Sequence, residues 1–398
     1  MSNEEKLVMY VVCTSINERV LHKIKEILST DLNWRFVLGR AIHHRVIPKF
    51  YQSLTLLTET ELKNLIPNWV LEKVRELNYA FIGRNIVIQE EINKIFKSLK
   101  VRGIEFTPIK GVLLAETIYP KNYFRFLLDI DLLFPNDNEK IRAEEILVNL
   151  GYKLIWDAVS QSLFRKNGNI PPIFCDSHRF LTLFRYFEYP KIDDLWKNMS
   201  EQKVGGVKVK VLSGEHMLLV LCLHSFKHKS FLLQDLCDAI QILRKYPNLD
   251  WQYILEQLEK YPCVFGIPLG IINVMFNYLF NENIMPKTAF KVLRYVNVIT
   301  AKVGGISAKQ TLENPEKLAP YEIFCPKCDN YIHCPIYFPD SNSKVKNGRL
   351  GFIKNMLLEY YYILTSIKRT HGIKYALKCF YQQSIGFLGR IFHFQKFY

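Results

Sequence analysis

The sequence predicts a mixed α/β (α+β) protein in which a small sheet-containing core is flanked by helical regions. Apolar residues spaced by three and four positions, as in amphipathic helices, fill roughly the first hundred residues and return after Ser213. Between these regions lie short apolar runs separated by Gly and Pro, which are typical of strands. We therefore predict a helical N-terminal region at 1–100, a small α/β core at 101–212 and a helical domain at 213–320.

Helices account for the first region. The helical spacing is clearest in three segments: LHKIKEILST, WRFVLGRAIHHRVIPKFYQSL and NWVLEKVRELNYAFIGRNIVIQEEINKIFKSLK. Pro67 stands just before the third segment, where a proline favours the start of a helix.

The core reads as strand, helix, strand, helix, strand, strand. In chain order these elements are GIEFTPIKG, VLLAETIY, the apolar run FRFLLDIDLLF, NDNEKIRAEEILVNLGYKL, QSLFRK and PPIFCDSHRF. Gly151 is expected to end the second helix, and Gly205 with Gly206 to form a tight turn between two further strands. From Ser213 onward the pattern predicts a helix up to Tyr246, then WQYILEQLEKY and IPLGIINVMFNYLF.

Composition limits the class of protein. With 398 residues, 49% hydrophobic and 23% charged, the chain can bury real cores and is not a disordered polymer. There is no apolar run of transmembrane length, the acidic start MSNEEKLVMY is unlike a signal peptide, and the nine cysteines are scattered. We therefore expect a cytoplasmic protein with reduced thiols. The net charge of +15 favours an anionic partner.

Two aspartates interrupt the apolar run FRFLLDIDLLF. On a helix, Asp129 and Asp131 would point in divergent directions, whereas on a strand they share one face, about 7 Å apart. Neighbouring carboxylates repel each other unless a cation or a shared proton intervenes, and Mg²⁺ prefers such oxygen ligands. Many Asp-x-Asp pairs simply end strands and face water, so the pair alone does not settle the matter.

The surrounding residues add to this pattern. Lys110 and Gly111 stand between a strand and a helix, where backbone amides and a lysine can meet a phosphate, although an ordinary turn has the same residues. Arg125, four residues before Asp129, either neutralises the carboxylates or clamps a polyphosphate. Asp176, in a later strand, can complete a three-carboxylate cluster suited to two-metal phosphoryl transfer.

Taken together, these motifs resemble the uncharacterised nucleotidyltransferase family of the DNA-polymerase-beta-like superfamily. The shared features are Lys110-Gly111, Tyr119-Pro120, Arg125 with Asp129-Ile130-Asp131, Leu150-Gly151-Tyr152, FCDSH with Asp176 and His178, and the helix carrying His224, His228 and Asp238. The resemblance spans about Trp34 to Leu243. The wider superfamily has Gly-Ser at the helix start, whereas this chain has Lys110-Gly111-Val112.

The resemblance implies a nucleotidyltransferase that moves a nucleoside monophosphate from an NTP, ATP by default, to an acceptor hydroxyl. Asp129, Asp131 and Asp176 would be catalytic and would bind Mg²⁺ or Mn²⁺. The expected nucleotide-binding residues are Lys110, Gly111, Arg125, His178, His224 and His228. The acceptor stays open among a sugar, another small molecule, a peptide, a protein side chain and an RNA end.

A histidine pair and a cysteine cluster suggest rival interpretations. His224 and His228 lie one helical turn apart, as zinc ligands do, but without the Glu of the His-Glu-x-x-His motif. In the Cys/Pro-rich linker at 321–342, Cys325, Cys328 and Cys334 have the ligand types of a structural zinc site.

The basic, aromatic-rich tail at 343–398 carries ten Lys and Arg against one Glu, which suits nucleic acid or an anionic membrane. A catalytically inactive binding protein that acts through this tail or through the Cys loop is therefore the main alternative to an enzyme.

Overall fold

The structure, a computed structural model, describes a large part of the chain. It covers residues 2–13, 18–120, 124–157, 161–168, 172–181, 183–184, 187–188, 192–228, 232–260 and 262–280. The predicted Cys loop at 325–334 and the basic tail at 343–398 lie outside these residues. None of the helices described is both long and apolar enough to cross a membrane.

Helices and short strands alternate as the sequence predicts. In chain order the described elements are α1 (Asn3–Cys13), α2 (Glu18–Leu28), α3 (Trp34–His43), α4 (Ile47–Leu57), a 3₁₀ turn (Glu61–Leu65), α5 (Asn68–Val101), β1 (Thr107–Pro108), α6 (Lys110–Thr117), β2 (Asp129–Leu133), α7 (Asp137–Asn149), β3 (Lys153–Asp157), β4 (Gln161–Lys166), β5 (Ile173–His178), β6 (Leu183–Phe184), β7 (Phe187–Glu188), α8 (Ile192–Lys197), β8 (Ser200–Val204), β9 (Val207–Val211), α9 (Gly214–His228), α10 (Leu233–Lys245), α11 (Trp251–Lys260), a π-helical turn (Pro262–Gly266) and α12 (Ile267–Phe280).

The chain divides into two compact units that interleave in sequence. The first contains the described residues within Met1–Asn93, Ile109–Leu128 and Leu212–Ile336, and the second those within Lys94–Pro108 and Asp129–Val211. The α6 segment therefore belongs to the helical first unit, although it follows β1 directly. The domain boundaries predicted from the sequence stay predictions.

The first unit is helical. Its helix α1 packs against α2, α3, α4 and α10, while α9 packs against α10 and α12. Two segments that the sequence predicts as single helices are each split in two. Arg45, at φ 59°, ends the helical path between α3 and α4. The second break precedes α10, where the Asp235 carboxylate accepts a hydrogen bond from the backbone N–H of Leu232 at 2.9 Å and caps a new helix.

The second unit is built on a mixed sheet with strand order β1-β2-β5-β4-β3 among the described residues. Strands β2 and β5 are parallel, and the other neighbours in this sheet are antiparallel. This small mixed sheet, with helices before and after it in the chain, confirms the predicted α/β class. A separate hairpin, β8–β9, turns through Gly205 and Gly206 at φ 57° and 78°, values that favour glycine.

Helix α7 covers one face of this sheet by packing on β3 and β5. It begins where the Asn136 side chain accepts a hydrogen bond from the backbone N–H of Glu139 at 2.9 Å. It ends before Gly151, whose φ of 88° is the left-handed conformation common after a helix. Ile130 and Leu132 of β2, both fully buried, alternate with the two aspartates.

Candidate functional site

The pairing of two parallel strands brings the predicted acidic residues together. In the register of β2 and β5, Asp131 lies opposite Asp176, while Asp129 lies opposite Phe174 and Leu133 opposite His178. Because side chains alternate along a strand, Asp129, Asp131, Asp176 and His178 belong to one face of the sheet. The β-strand interpretation of the Asp-x-Asp pair is therefore confirmed.

Three of these side chains form a compact group of atoms of the kinds that can bind a metal ion. One ligand atom from each of Asp131, Asp176 and His178 lies within 4.8 Å of the other two. The Nε2 atom of His178 and the Oδ1 atom of Asp131 are 2.9 Å apart, and both side chains are almost fully buried. Asp129 belongs to the same face at the start of β2 but is not a member of this trio. We refer to Asp131, Asp176 and His178 as the Asp-Asp-His group.

The residues of the group suit a divalent cation in chemical terms. Carboxylate oxygens are the ligands that Mg²⁺ and Mn²⁺ prefer, and an imidazole nitrogen adds a ligand that Mn²⁺ and Zn²⁺ accept more readily than Mg²⁺ does. The two carboxylates also stand side by side on neighbouring strands, an arrangement in which each disfavours the charge of the other. A cation would remove that repulsion.

A neighbouring thiol reports the negative potential of this part of the sheet. Cys175 is fully buried, between Phe174 and Asp176 in β5. Burial raises its pKa, and the charges of Asp176, Asp131 and Asp129 raise it further. The thiol therefore stays protonated at neutral pH, and it has no thiolate character that would make it a nucleophile.

A polar network lies on the opposite face of the sheet, directly behind the group. Ser177, between Asp176 and His178 in sequence, donates a hydrogen bond from Oγ to Oε1 of Glu144 on α7 at 2.8 Å. The same Glu144 oxygen accepts from Nζ of Lys140 at 2.5 Å, and Lys140 also donates to Oγ of Ser162 at 2.7 Å. Ser162 and Ser177 are fully buried and paired in the β4–β5 register, so the network ties α7 to both strands.

Lys110 and Gly111 lie in the first unit, at the start of α6. Lys110 has a φ of 51°, an uncommon conformation for a residue with a side chain. A Cβ atom on Gly111 would stand 2.8 Å from Nη1 of Arg125 and 3.4 Å from Cδ2 of Leu127. The close approach of the Arg125 side chain thus requires glycine at position 111. The phosphate-binding role predicted for both residues stays a prediction.

Arg125 is engaged in a buried ion pair within the first unit. Its Nε atom donates to Oδ1 of Asp238 at 2.9 Å and its Nη2 atom to Oδ2 at 2.8 Å, with Arg125 8% and Asp238 0% exposed. The Tyr119 hydroxyl donates to the same carboxylate at 2.7 Å. Burial alone would lower the pKa of Arg125, but the charge of Asp238 outweighs it and the pKa is raised. Arg125 thus neutralises Asp238, a partner that the sequence did not indicate, and its predicted contact with a polyphosphate stays a prediction.

The backbone on both sides of Arg125 is also fixed. The Asn85 side chain of α5 donates to the carbonyl oxygen of Arg125 at 2.7 Å and accepts from the N–H of Leu127 at 3.0 Å. Arg84 donates from Nη2 to the carbonyl oxygen of Leu128 at 3.1 Å. These contacts fix the backbone of the segment that precedes β2.

The remaining predicted residues are His224, His228 and the cysteines of the linker. His224 is half-buried on α9 in the first unit, and the side chain of His228 lies outside the described residues. Their nucleotide-binding role and the rival zinc role therefore stay predictions. So does the zinc site proposed for Cys325, Cys328 and Cys334.

Sequence reasoning missed several residues that support the site. Lys140 and Glu144 stand four positions apart on α7, a spacing that signals contact along a helix but not contact with Ser177. His178 lies beside Asp131 and Asp176, and the contact with the nucleotide predicted for it stays a prediction. The pairing of Arg125 with Asp238 spans 113 positions and left no local signal in the sequence.

Comparison with known proteins agrees with these features. The model of a family described as uncharacterised nucleotidyltransferase matches residues 30–269, more than half of the chain. The chain belongs to this family. The matched segment includes every member of the Asp-Asp-His group as well as Lys110, Gly111, Arg125 and Asp238.

One solved structure is also similar to the chain, an antigenic nucleotidyltransferase-like protein from Paracoccidioides brasiliensis. It is 12% identical, and the match covers 49% of this chain and 96% of that one with a TM-score of 0.29. So little common backbone does not allow residues to be compared one by one. No curated protein matches the sequence.

Proposed function

We propose that the protein is a metal-dependent nucleotidyltransferase, which moves a nucleoside monophosphate from an NTP to an acceptor hydroxyl with release of diphosphate. The observation that carries the proposal is the placement of Asp131 beside Asp176 on parallel strands, with Asp129 and His178 on the same face. Membership of a nucleotidyltransferase family supports the same reaction class. ATP is the default donor.

The carboxylates have distinct tasks in this proposal. Asp129 and Asp131 would hold the cation that accompanies the triphosphate, and Asp176 would share it and accept the proton of the acceptor hydroxyl. A bound Mg²⁺ or Mn²⁺ would supply charge neutralisation for the triphosphate and acidify the attacking hydroxyl. His178 fixes the Asp131 carboxylate through the contact between Nε2 and Oδ1.

The protein supplies positioning as well as charge. Ile130 and Leu132, which alternate with the aspartates, are buried and fix β2 against the core. Both carboxylates therefore keep their place on the opposite face of the strand. The acceptor is a hydroxyl-bearing molecule, for which a sugar, another small molecule, a peptide, a protein side chain and an RNA end are the candidates. The predicted nucleotide contacts of Lys110, Gly111, Arg125, His224 and His228 complete this proposal.

The contact between His178 and Asp131 also favours a second candidate function. A histidine at 2.9 Å can neutralise a buried carboxylate when it is protonated, without any metal ion. The fold would then serve as a binding protein without catalysis. The two candidates differ in one measurable property, namely the affinity of the group for a divalent cation.

The deciding experiment is calorimetric titration of ATP into the full chain, with Mg²⁺ and with EDTA. The test variant is Asp129→Asn/Asp131→Asn, and the matched control is Asp193→Asn/Asp194→Asn, which removes two exposed carboxylates from α8. Enzymatic function predicts Mg²⁺-dependent binding in the wild type and the control but not in the test variant. An affinity for ATP that is the same with Mg²⁺ and with EDTA, and the same in all three proteins, would support the non-catalytic candidate.

Activity requires a second assay, because the acceptor has to be found. ATP labelled at the α-phosphorus is incubated with the protein and with pools of each acceptor class, and the label is followed into product. Transfer by the wild type and the Asp193→Asn/Asp194→Asn control, together with its loss in Asp129→Asn/Asp131→Asn, would establish the reaction. Equal transfer by all three proteins would refute the assignment of the aspartates.

A further inference from the structure

The first unit contains a cavity of about 40 Å³. Its wall is made by the end of α1, the α3–α4 turn, α4, the segment after α6, and α10. A single water molecule needs roughly 10–15 Å³ of such volume, so the cavity accommodates a group of several atoms. We call it the basic pocket because of the side chains that line it.

Cations line the basic pocket. Arg45, Lys49, Arg125 and Arg244 contribute to its wall, and no Asp or Glu among the described residues lines it. The charge of Arg125 is offset by Asp238, whose carboxylate it contacts at 2.8 Å. Lys49 of α4 and Arg244 of α10 therefore give the wall a net positive charge.

Lys49 and Arg244 are held near each other without a carboxylate partner among the described residues. The Nζ atom of Lys49 donates to a neutral amide oxygen, Oε1 of Gln52, at 3.1 Å. The Arg244 guanidinium lies 5.9 Å from the centre of the Phe280 ring. Burial lowers the pKa of Lys49, and the charge of Arg244 contributes to that decrease. Lys49 is half-buried and Arg244 is exposed, and an anion between two such cations would remove their repulsion.

Arg45 occupies a position at which glycine is usual. It follows the last turn of α3 with a φ of 59°, where a side chain costs about 1 kcal/mol. A backbone hydrogen bond from the Val46 N–H to the Ala41 carbonyl at 3.0 Å closes this turn. The turn thus directs the chain from α3 into α4. At this strained position the chain has an arginine instead of the usual glycine, and the arginine contributes to the pocket wall.

We propose that the basic pocket binds a phosphate group, held chiefly by Lys49 and Arg244 with Arg45 beside them. Guanidinium groups match the tetrahedral oxygens of phosphate with paired hydrogen bonds, and a lysine adds a mobile cation. The amide of Gln241, also in the wall, can donate a further hydrogen bond. Inorganic phosphate, diphosphate and the phosphate end of a nucleotide share this chemistry. The proposal does not depend on the Asp-Asp-His group, which belongs to the second unit.

The test is calorimetric titration of diphosphate into the full chain in EDTA and low salt, with phosphate and ATP as parallel ligands. The variants are Lys49→Met and Arg244→Gln. The control is Lys245→Gln, an exposed neighbour on α10 that does not line the pocket. We expect wild-type binding that weakens about ten-fold or more in each variant, as for loss of a charge-assisted hydrogen bond, and less than about two-fold in the control.

The three ligands identify the source of the phosphate group. Tighter binding of ATP than of diphosphate assigns the pocket to a nucleotide, and the reverse assigns it to the free anion. A folded wild-type protein that binds none of the three, or equal affinities in Lys49→Met, Arg244→Gln and wild type, would overturn the proposal. A melting curve of each variant establishes that the folded proteins are being compared.

A further variant separates this proposal from the proposed enzymatic function. Asp131→Asn/Asp176→Asn removes both carboxylates of the Asp-Asp-His group and leaves the basic pocket intact. In EDTA it should bind diphosphate as the wild type does, even if Mg²⁺-dependent ATP binding is lost. Loss of diphosphate binding in this variant would place the anion at the group and refute the pocket.

Discussion

Replacement of Asp238 should cost the first unit much of its stability. Its carboxylate is fully buried and accepts hydrogen bonds from Nε and Nη2 of Arg125 and from the Tyr119 hydroxyl, at 2.7–2.9 Å. In Asp238→Asn, the shape is kept while one charge disappears and an amide N–H faces a guanidinium. Arg125 would then remain buried without an anion.

The expected loss is about 3–5 kcal/mol in the free energy of unfolding, which is the usual cost of removing one partner from a buried ion pair. Equilibrium urea unfolding followed by tryptophan fluorescence measures it. With a slope of about 3 kcal/mol per molar urea, the midpoint should fall by about 1 M or more. Asp31→Asn, at an exposed position in the same unit, is the matched control and should leave the midpoint unchanged.

A double variant tests the reason behind this loss. Arg125→Met/Asp238→Leu removes both charges and should recover part of the stability, because no ion is left buried alone. Recovery should be incomplete, since the Tyr119 hydroxyl also loses its acceptor. A loss of less than about 1 kcal/mol in the free energy of unfolding of Asp238→Asn would refute this reasoning. So would a double variant that is less stable than Asp238→Asn by about 1 kcal/mol.

Three further substitutions have defined outcomes. Gly111→Ala should cost about 1–3 kcal/mol in urea unfolding, because its Cβ would stand 2.8 Å from the buried Arg125 guanidinium, whereas Gly39→Ala, with open space around it, should cost nothing. Burial, with smaller contributions from neighbouring cations, lowers the pKa of His44 to about 4. Wild-type stability should therefore fall as pH drops from about 6.5 towards 4, and the melting temperature of His44→Asn should fall less over that range. Lys140→Met should destabilise the protein by about 1–3 kcal/mol, since Glu144 and Ser162 lose a buried donor, and a melting curve would show it.

Local features of the sequence were sufficient for several individual elements. The alternation around Asp129 and Asp131 predicted a strand because only a strand places both carboxylates on one face. Gly151 and the Gly205-Gly206 turn were readable because their positive φ angles are conformations that glycine adopts readily. Each of these inferences concerns residues that are neighbours in the chain.

Contacts between distant segments were harder to predict. The end of α3 at Arg45 was missed because a residue with a side chain seldom adopts a φ of 59°. The partner of Arg125 was missed because Asp129, four positions away, was the obvious carboxylate, whereas the ion pair forms with Asp238. Charge complementarity indicates that an arginine needs an anion but does not say which one.

The register of β2 against β5 decides what the carboxylates can do. Asp131 meets Asp176 because these residues are paired, and a shift by one position would place Ile130 or Leu132 beside Asp176 and the acids on opposite faces. Two features oppose such a shift. The buried Ile130 and Leu132 would lose their place in the core, and Ser177 would move away from Glu144 on α7. The network behind the sheet therefore contributes to the site without touching a ligand, because it holds β5 in the register that brings Asp176 and His178 to Asp131.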